Sequence, residues 1–204
     1  MPEPRVPDKS DLRCVVRDAR PNDVGDYASH VARHLAESGR NGSFHFGVTR
    51  DVARAELETT MNLRWIVPLH LVGWARAWLL WDGDPRAARF GPRASVAPAS
   101  RVVGHAELRG PFVTSSLHRA LFSIGIERAF VGRGYGEALM REAITWARSQ
   151  PTLAWIDLQV FASNTPAVAL YKKLGFVDVG TCRDAFRMDD GTRIDDTHMV
   201  LALR

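Results

Sequence analysis

Cysteine is scarce in this chain. Its 204 residues hold two, Cys14 and Cys182, far apart and outside any metal-ligand spacing. That excludes a disulfide framework and makes a reducing cytoplasm the expected compartment. Long hydrophobic runs are missing as well. The most apolar stretch, Trp65 to Trp81, is interrupted by Pro68, His70 and Arg76, so no membrane span is expected. The opening Met1-Pro2-Glu3-Pro4-Arg5 is polar and proline-rich, unlike a secretory leader. Neither sign of charge dominates: 27 Lys and Arg face 23 Asp and Glu, for a formal net charge of +4. This suits an anionic coenzyme or an acidic partner and falls short of a nucleic-acid footprint. Two phosphate-binding fingerprints are also absent. No Gly-x-x-x-x-Gly-Lys-[Ser/Thr] occurs, and Leu139 sits where the last glycine of a Gly-x-Gly-x-x-Gly pattern would stand. There are no internal repeats.

What is present is enough for one core. The hydrophobic fraction is 46%, with six tryptophans, and the length fits a single domain over 1–204. Residues 1–11 read as a flexible start. Strands are expected at 12–18, 74–81, 102–109 and from about 117 to 126. Further strands follow at 155–161, 176–188 and 197–203, with Asp189-Asp190-Gly191 as the hairpin turn between the last two. Helices are expected at 22–38, capped by Asn22 or Asp23, and at 50–63. Residues 82–101 are rich in Gly, Pro, Ala and Arg. They read as a long mobile loop, with a lid as the second choice.

The densest signal lies at 120–136. An apolar run, Ala120 to Ile126, ends in a turn carrying Gly132, Gly134 and Gly136, and a helical pattern follows at once through Ala138, Leu139, Ala143, Ile144 and Ala147. Such a turn leaves backbone N–H groups unpaired at the positive end of a helix dipole, which makes an anion site. Arg133 adds a full positive charge. A second motif spans 155–176. A strand is followed by a helix capped by Ser163 or Asn164, with Pro166 in its first turn and Gly175 at its end.

With strand, glycine turn, helix, strand and a helix ending Leu170-Tyr171-Lys172-Lys173-Leu174-Gly175-Phe176, the chain resembles the GCN5-related N-acetyltransferase (GNAT) superfamily. It looks closest to the bacterial ribosomal-protein and protein N-terminal acetyltransferases. The resemblance covers about residues 102–204, and Val16 to Asp23 resembles the family's first strand and turn. It implies an α/β (α+β) fold with a central mixed, mostly antiparallel sheet of six to seven strands flanked by helices. The fourth and fifth strands would be splayed apart. It also implies acetyl-CoA as cosubstrate and no metal. The pantetheine arm would lie along Ile124, Gly125 and Ile126, and the pyrophosphate in Val131, Gly132, Arg133, Gly134, Tyr135 and Gly136. Asn164 and Tyr171 would contact the arm, and Lys173, with Lys172, could reach the adenosine phosphates. The family usually has Gln or Arg where this chain has Val131, so Arg133 would supply the charge.

Tyr171 matches the tyrosine that protonates the leaving thiolate. The place of the ribosomal-protein relatives' glutamate is taken by Gln159, whose amide cannot accept a proton at neutral pH but can orient a water. Other candidates for the base are Glu107 and His105, which share a strand face by period two, and His118 and Glu127 at the two ends of the fourth strand. The leading function is direct acetyl transfer to a primary amine in a ternary complex. The acceptor is a protein N-terminus or a small amine such as a polyamine, aminoglycoside or amino acid. A catalytically idle coenzyme-A-binding module is the second reading. A nucleic-acid role for Arg86, Arg89, Arg93 and Arg101 is the third, and no nucleic-acid partner is expected. Homodimers are common among relatives; the sequence itself shows no oligomer.

Overall fold

A computed structural model describes residues 14–39, 63–83, 100–188 and 190–204. Apart from Leu63, which is helical, the helix expected at 50–63 lies outside the described residues, as does most of the 82–101 segment. Seven strands form one sheet: β1 (Cys14–Asp18), β2 (Ala75–Asp82), β3 (Arg101–Arg109), β4 (Arg119–Ile126), β5 (Trp155–Phe161), β6 (Val177–Arg187) and β7 (Arg193–Ala202). Their order is β1-β2-β3-β4-β5-β7-β6. Every pairing is antiparallel except that of β4 with β5. Among the described residues, helices α1 (Val24–Ala36), α2 (Tyr135–Ser149) and α3 (Thr165–Lys173) flank the sheet.

The sheet carries a core on each face. On one side Trp78, Leu80, Ala106, Phe122 and Leu158 pack with Leu139, Met140 and Ala143 of α2. On the other, Ala75, Ala77, Leu79 and Trp81 pack with Tyr27 and Val31 of α1. β2 is thus buried on both faces, which explains its poor alternation: a strand with no wet face has no reason to alternate.

Local chemistry sets the entry to α1. Pro21–Asp23 forms a 3-10 turn, and the helix proper begins at Val24. Asp23 occupies the cap position but makes no side-chain cap bond. Its carboxylate instead accepts two 2.8 Å bonds from Arg17 and one from the Arg20 amide, which ties the helix start to β1. The last strand starts at Arg193, four residues earlier than expected, because Arg193 and Ile194 still pair with Arg187 and Phe186.

Candidate active site

β4 and β5 run parallel and pair only from Arg119↔Trp155 to Phe122↔Leu158. Beyond that point the strands are unpaired with each other. Arg119 closes the paired end by bonding both carboxylate oxygens of Asp157, with Nε at 2.8 Å from Oδ2. Past Phe122 a groove of about 440 Å³ opens, with Ile124, Gln159, Asn164 and Tyr171 in its wall. The parallel pairing explains the opening. Two parallel strands that diverge after four pairs leave backbone N–H and C=O groups facing a gap in the middle of the sheet.

At the top of β4 the chain turns through Arg128–Phe130 into Gly132–Gly134. Gly134 occupies the cap position of α2 with φ +82°, a conformation that costs a side-chain-bearing residue about 1–2 kcal/mol. The first amides of α2 have no intrahelical acceptor by geometry and face the turn. Val131 and Arg133 are exposed, and the Arg133 guanidinium lies 5.8 Å from the Phe130 ring. Two expected coenzyme contacts are narrowed. The Tyr135 side chain is buried in the core, so only its backbone faces the turn. Lys173 Nζ is 2.7 Å from Glu137 Oε2 in the first turn of α2, so its charge reaches the turn already shared with a carboxylate.

Asn164 caps α3, its Oδ1 accepting from the Ala167 amide at 3.3 Å. The cap uses the acceptor oxygen and does not consume the amide's N–H donors. Tyr171 is buried beside Phe176, and burial pushes its phenol up to about 12.

The candidate bases are distributed unevenly. His118 does not belong to the groove. It is exposed and precedes the paired end of β4, where its carbonyl accepts from Ala154 and Trp155. The strand rise places it about 20 Å from Ile124. Gln159 lines the groove and lies 2.6 Å from His198 Nε2 across the β5–β7 pairing. Beside His198 the buried Asp196 carboxyl is pushed up by desolvation, against the pull of the imidazole. Glu107 is buried in the groove wall and raised by desolvation, with the Arg109 charge partly offsetting this. Among the described residues its Oε1 has no hydrogen-bond partner, and Oε2 lies 3.5 Å from Arg109 Nε.

His105 and Glu127 belong to one buried cluster with α1. His105 Nδ1 is 3.0 Å from His30 Nε2, and His30 Nδ1 is 3.1 Å from Glu127 Oε1. Glu127, a candidate base at the end of the fourth strand, is therefore buried. Arg33 and Arg101 also bond to it, at 2.9 and 2.8 Å. Burial pushes its carboxyl up, but the bonds from His30, Arg101 and Arg33 prevail and hold it at about 2. His34 stacks on His30 and, with His105, closes around Gly125. A Cβ added there would lie 2.7–2.8 Å from the two imidazoles. Among the described residues no group of His, Cys, Asp and Glu is arranged to hold a metal ion. No helix among them is long and apolar enough to cross a membrane.

The family model for the acetyltransferase (GNAT) family matches residues 44–176. This chain belongs to that family. A 99-residue stretch is 34% identical to the L-amino acid N-acetyltransferase AaaT of Escherichia coli, covering 48% of this chain and 60% of that protein. The N-alpha-acetyltransferase RimI of Mycobacterium tuberculosis is 33% identical over 87 residues, 43% of this chain and 52% of its own length. The chain thus spans about half to three-fifths of these curated relatives. An acetyltransferase of the GNAT family from Streptococcus pneumoniae superposes with a TM-score of 0.72 at 21% identity, covering 93% of this chain and 99% of that one. The putative acetyltransferase yncA from Salmonella typhimurium, solved with acetyl-CoA, gives 0.68 at 16% identity over 95% of each chain. At these identities the structural likeness speaks for the fold alone.

Histidines 30, 34 and 198, Tyr27, Arg109 and Asp196 were not singled out from the sequence. The spacing of Tyr27, His30 and His34 on one helix face was the available signal.

Proposed function

We propose that this chain transfers the acetyl group of acetyl-CoA to an α-amine, that of a protein N-terminus or of a free amino acid. The observation that carries the reading is the gap between β4 and β5, with Tyr171 buried in its wall and unpaired strand backbone along it. In this reading the backbone of Ile124, Gly125 and Ile126 holds the pantetheine arm. The amides of Gly132 to Gly136, with Val131 and Arg133 beside them, hold the pyrophosphate. Asn164 donates to the arm from the cap of α3, and Lys173 faces the phosphates beside Glu137. The coenzyme supplies an activated thioester.

The chain's own residues then move protons. The amine nitrogen forms the new bond to the acetyl carbon as the carbon–sulfur bond breaks, and a proton must leave nitrogen while another reaches sulfur. Tyr171 serves the second step. A phenol held at about 12 stays protonated at neutral pH. The same burial raises the basicity of a departing thiolate, so the transfer becomes favourable as charge builds on sulfur. Glu107 and Arg109 offer the acceptor a carboxyl and a guanidinium in the groove wall. Gln159 orients the amine or a water rather than taking a proton.

The α-amine preference follows from magnitude. Neutralising a lysine amine at pH 7 costs about 4.6 kcal/mol, against about 1–1.4 kcal/mol for an α-amine. A groove whose Glu107 is pushed toward its neutral form favours the cheaper acceptor. The names of AaaT and RimI describe acetylation of amino acids and of α-amines.

A panel of N-terminal peptides, free amino acids, spermidine and α-blocked lysine tests the reading. The expected result is a kcat/KM at least about tenfold higher for the α-amines. Faster turnover of spermidine or the lysine side chain at neutral pH would sink it. Tyr171→Phe separates an enzyme from an idle coenzyme-binding module. Turnover should fall by about a hundredfold or more, while saturating acetyl-CoA still raises Tm by about 5–11 °C. Unchanged turnover in that variant removes Tyr171 from the mechanism.

A further inference from the structure

The buried line Glu127–His30–His105 joins three elements, and with both imidazoles neutral its hydrogen bonds assign the protons. Glu127 receives bonds from Arg33, Arg101 and His30. An ionised carboxylate only accepts, so His30 Nδ1 carries a hydrogen and donates it. A neutral His30 then has its lone pair on Nε2. The 3.0 Å contact with His105 Nδ1 requires His105 to donate from that atom. A neutral His105 keeps its remaining lone pair on Nε2. His105 lines the groove and packs against the face of β4 at Gly125, beside the strand proposed to hold the acetyl group.

We propose that His105 is the base that takes the proton from the attacking amine, with His30 and Glu127 as positioning residues that hold its tautomer and balance the imidazolium that forms. The balance is simple. The amine loses one proton to His105 Nε2 as the nitrogen–carbon bond forms, Tyr171 gives one to the departing sulfur, and solvent returns both groups to their starting states. At rest both imidazoles of the cluster are neutral, as a base must be. Burial lowers His30 and His105, and for His105 the neighbouring histidines and Arg109 act in the same direction. The groups acting on His105 are Tyr27, His30 and His34 from α1 and Arg109 from its own strand, with Glu107 two residues along that strand and Glu127 one imidazole away, bonded to His30. Of these, the Glu127 carboxylate favours the charged form of His30, the imidazole that bonds His105. The relay rests on the groove being the site of acetyl transfer, but not on which amine is the acceptor.

Two measurements test it. ¹⁵N NMR of the histidine side chains should find both His30 and His105 as the Nδ1–H tautomer near neutral pH. An Nε2–H tautomer at His105 overturns the relay, and this readout needs no turnover. It therefore separates failure of the relay from failure of the α-amine reading, which the amine panel tests. Kinetics with an amine that the enzyme turns over form the second arm. His105→Asn keeps an N–H donor in the place of Nδ1, and so the bond to His30, while removing the lone pair. It should lower kcat about a hundredfold or more with KM for acetyl-CoA nearly unchanged. Imidazole should restore part of the rate to His105→Ala. Glu127→Gln should move the acidic limb of kcat/KM to lower pH by about one unit, since a removed carboxylate no longer favours the imidazolium. A His105→Asn enzyme within about threefold of wild-type kcat, with an unmoved pH profile in Glu127→Gln, also overturns the proposal.

Discussion

Acidification should loosen α1 through His34, and the size of the effect follows from its surroundings. The His34 side chain is 12% exposed. Burial, then the neighbouring His30, pull its pKa down from 6.5 to about 4, against the smaller opposing pull of Glu127. The unfolded chain therefore binds a proton at His34 over a range where the folded chain does not, and stability rises with pH. The contribution is fully retained above about pH 6.5 and is lost as pH falls from there toward 4. At about pH 4.5 the loss attributable to this one ring is about 2–3 kcal/mol. His34→Gln keeps a polar group of similar reach and does not titrate. Urea denaturation of both proteins at pH 7 and pH 4.5 gives the comparison. The wild type should lose about 2–3 kcal/mol more than the variant over that interval, and parallel losses would refute the reasoning. His30 and His105 are shifted in the same direction and steepen both curves, which the difference between the proteins removes.

Other perturbations act on the same elements. Gly125→Ala places a methyl group 2.7–2.8 Å from two packed imidazoles; the overpacking should cost about 1–3 kcal/mol, read as a drop in Tm. If the strand backbone there holds the coenzyme, the Gly125→Ala protein should also bind it more weakly. Asn164→Ala removes the cap bond to Ala167 and should cost about 0.5–2 kcal/mol in chemical denaturation, together with affinity for acetyl-CoA by calorimetry.

Local features were legible in the sequence because they depend on neighbours along the chain. The turn at 132–136 needs glycines where φ is positive, and Gly132 and Gly134 have it. Pro166 and Gly175 bracket α3 as helix ends require. The sheet of seven strands and its parting after Phe122 agree with what the family resemblance implied. The contacts that join the histidine cluster were not legible: helix spacing puts Tyr27, His30 and His34 on one face, but His30 meets partners 75 and 97 positions away. Such contacts arise from how α1 crosses β3 and β4, which no spacing encodes. His118 shows the converse. A histidine before an apolar strand looks placed for chemistry until the parallel partner shows which end of the strand opens.

The outermost strand bears on whether the sheet can be extended by another chain. β6 runs for eleven residues at the sheet margin, mostly exposed, with Val177 and Val179 uncovered. A flat strand of that kind invites another chain to add on. This one is interrupted twice, between Asp178 and Gly180 and between Cys182 and Phe186. Asp184 sits at φ 50° with Arg187 and Arg193 on its carboxylate. An incoming strand would meet bent backbone and a cluster of fixed charges instead of an even ladder of donors and acceptors. Growth by sheet extension is thereby discouraged at this margin.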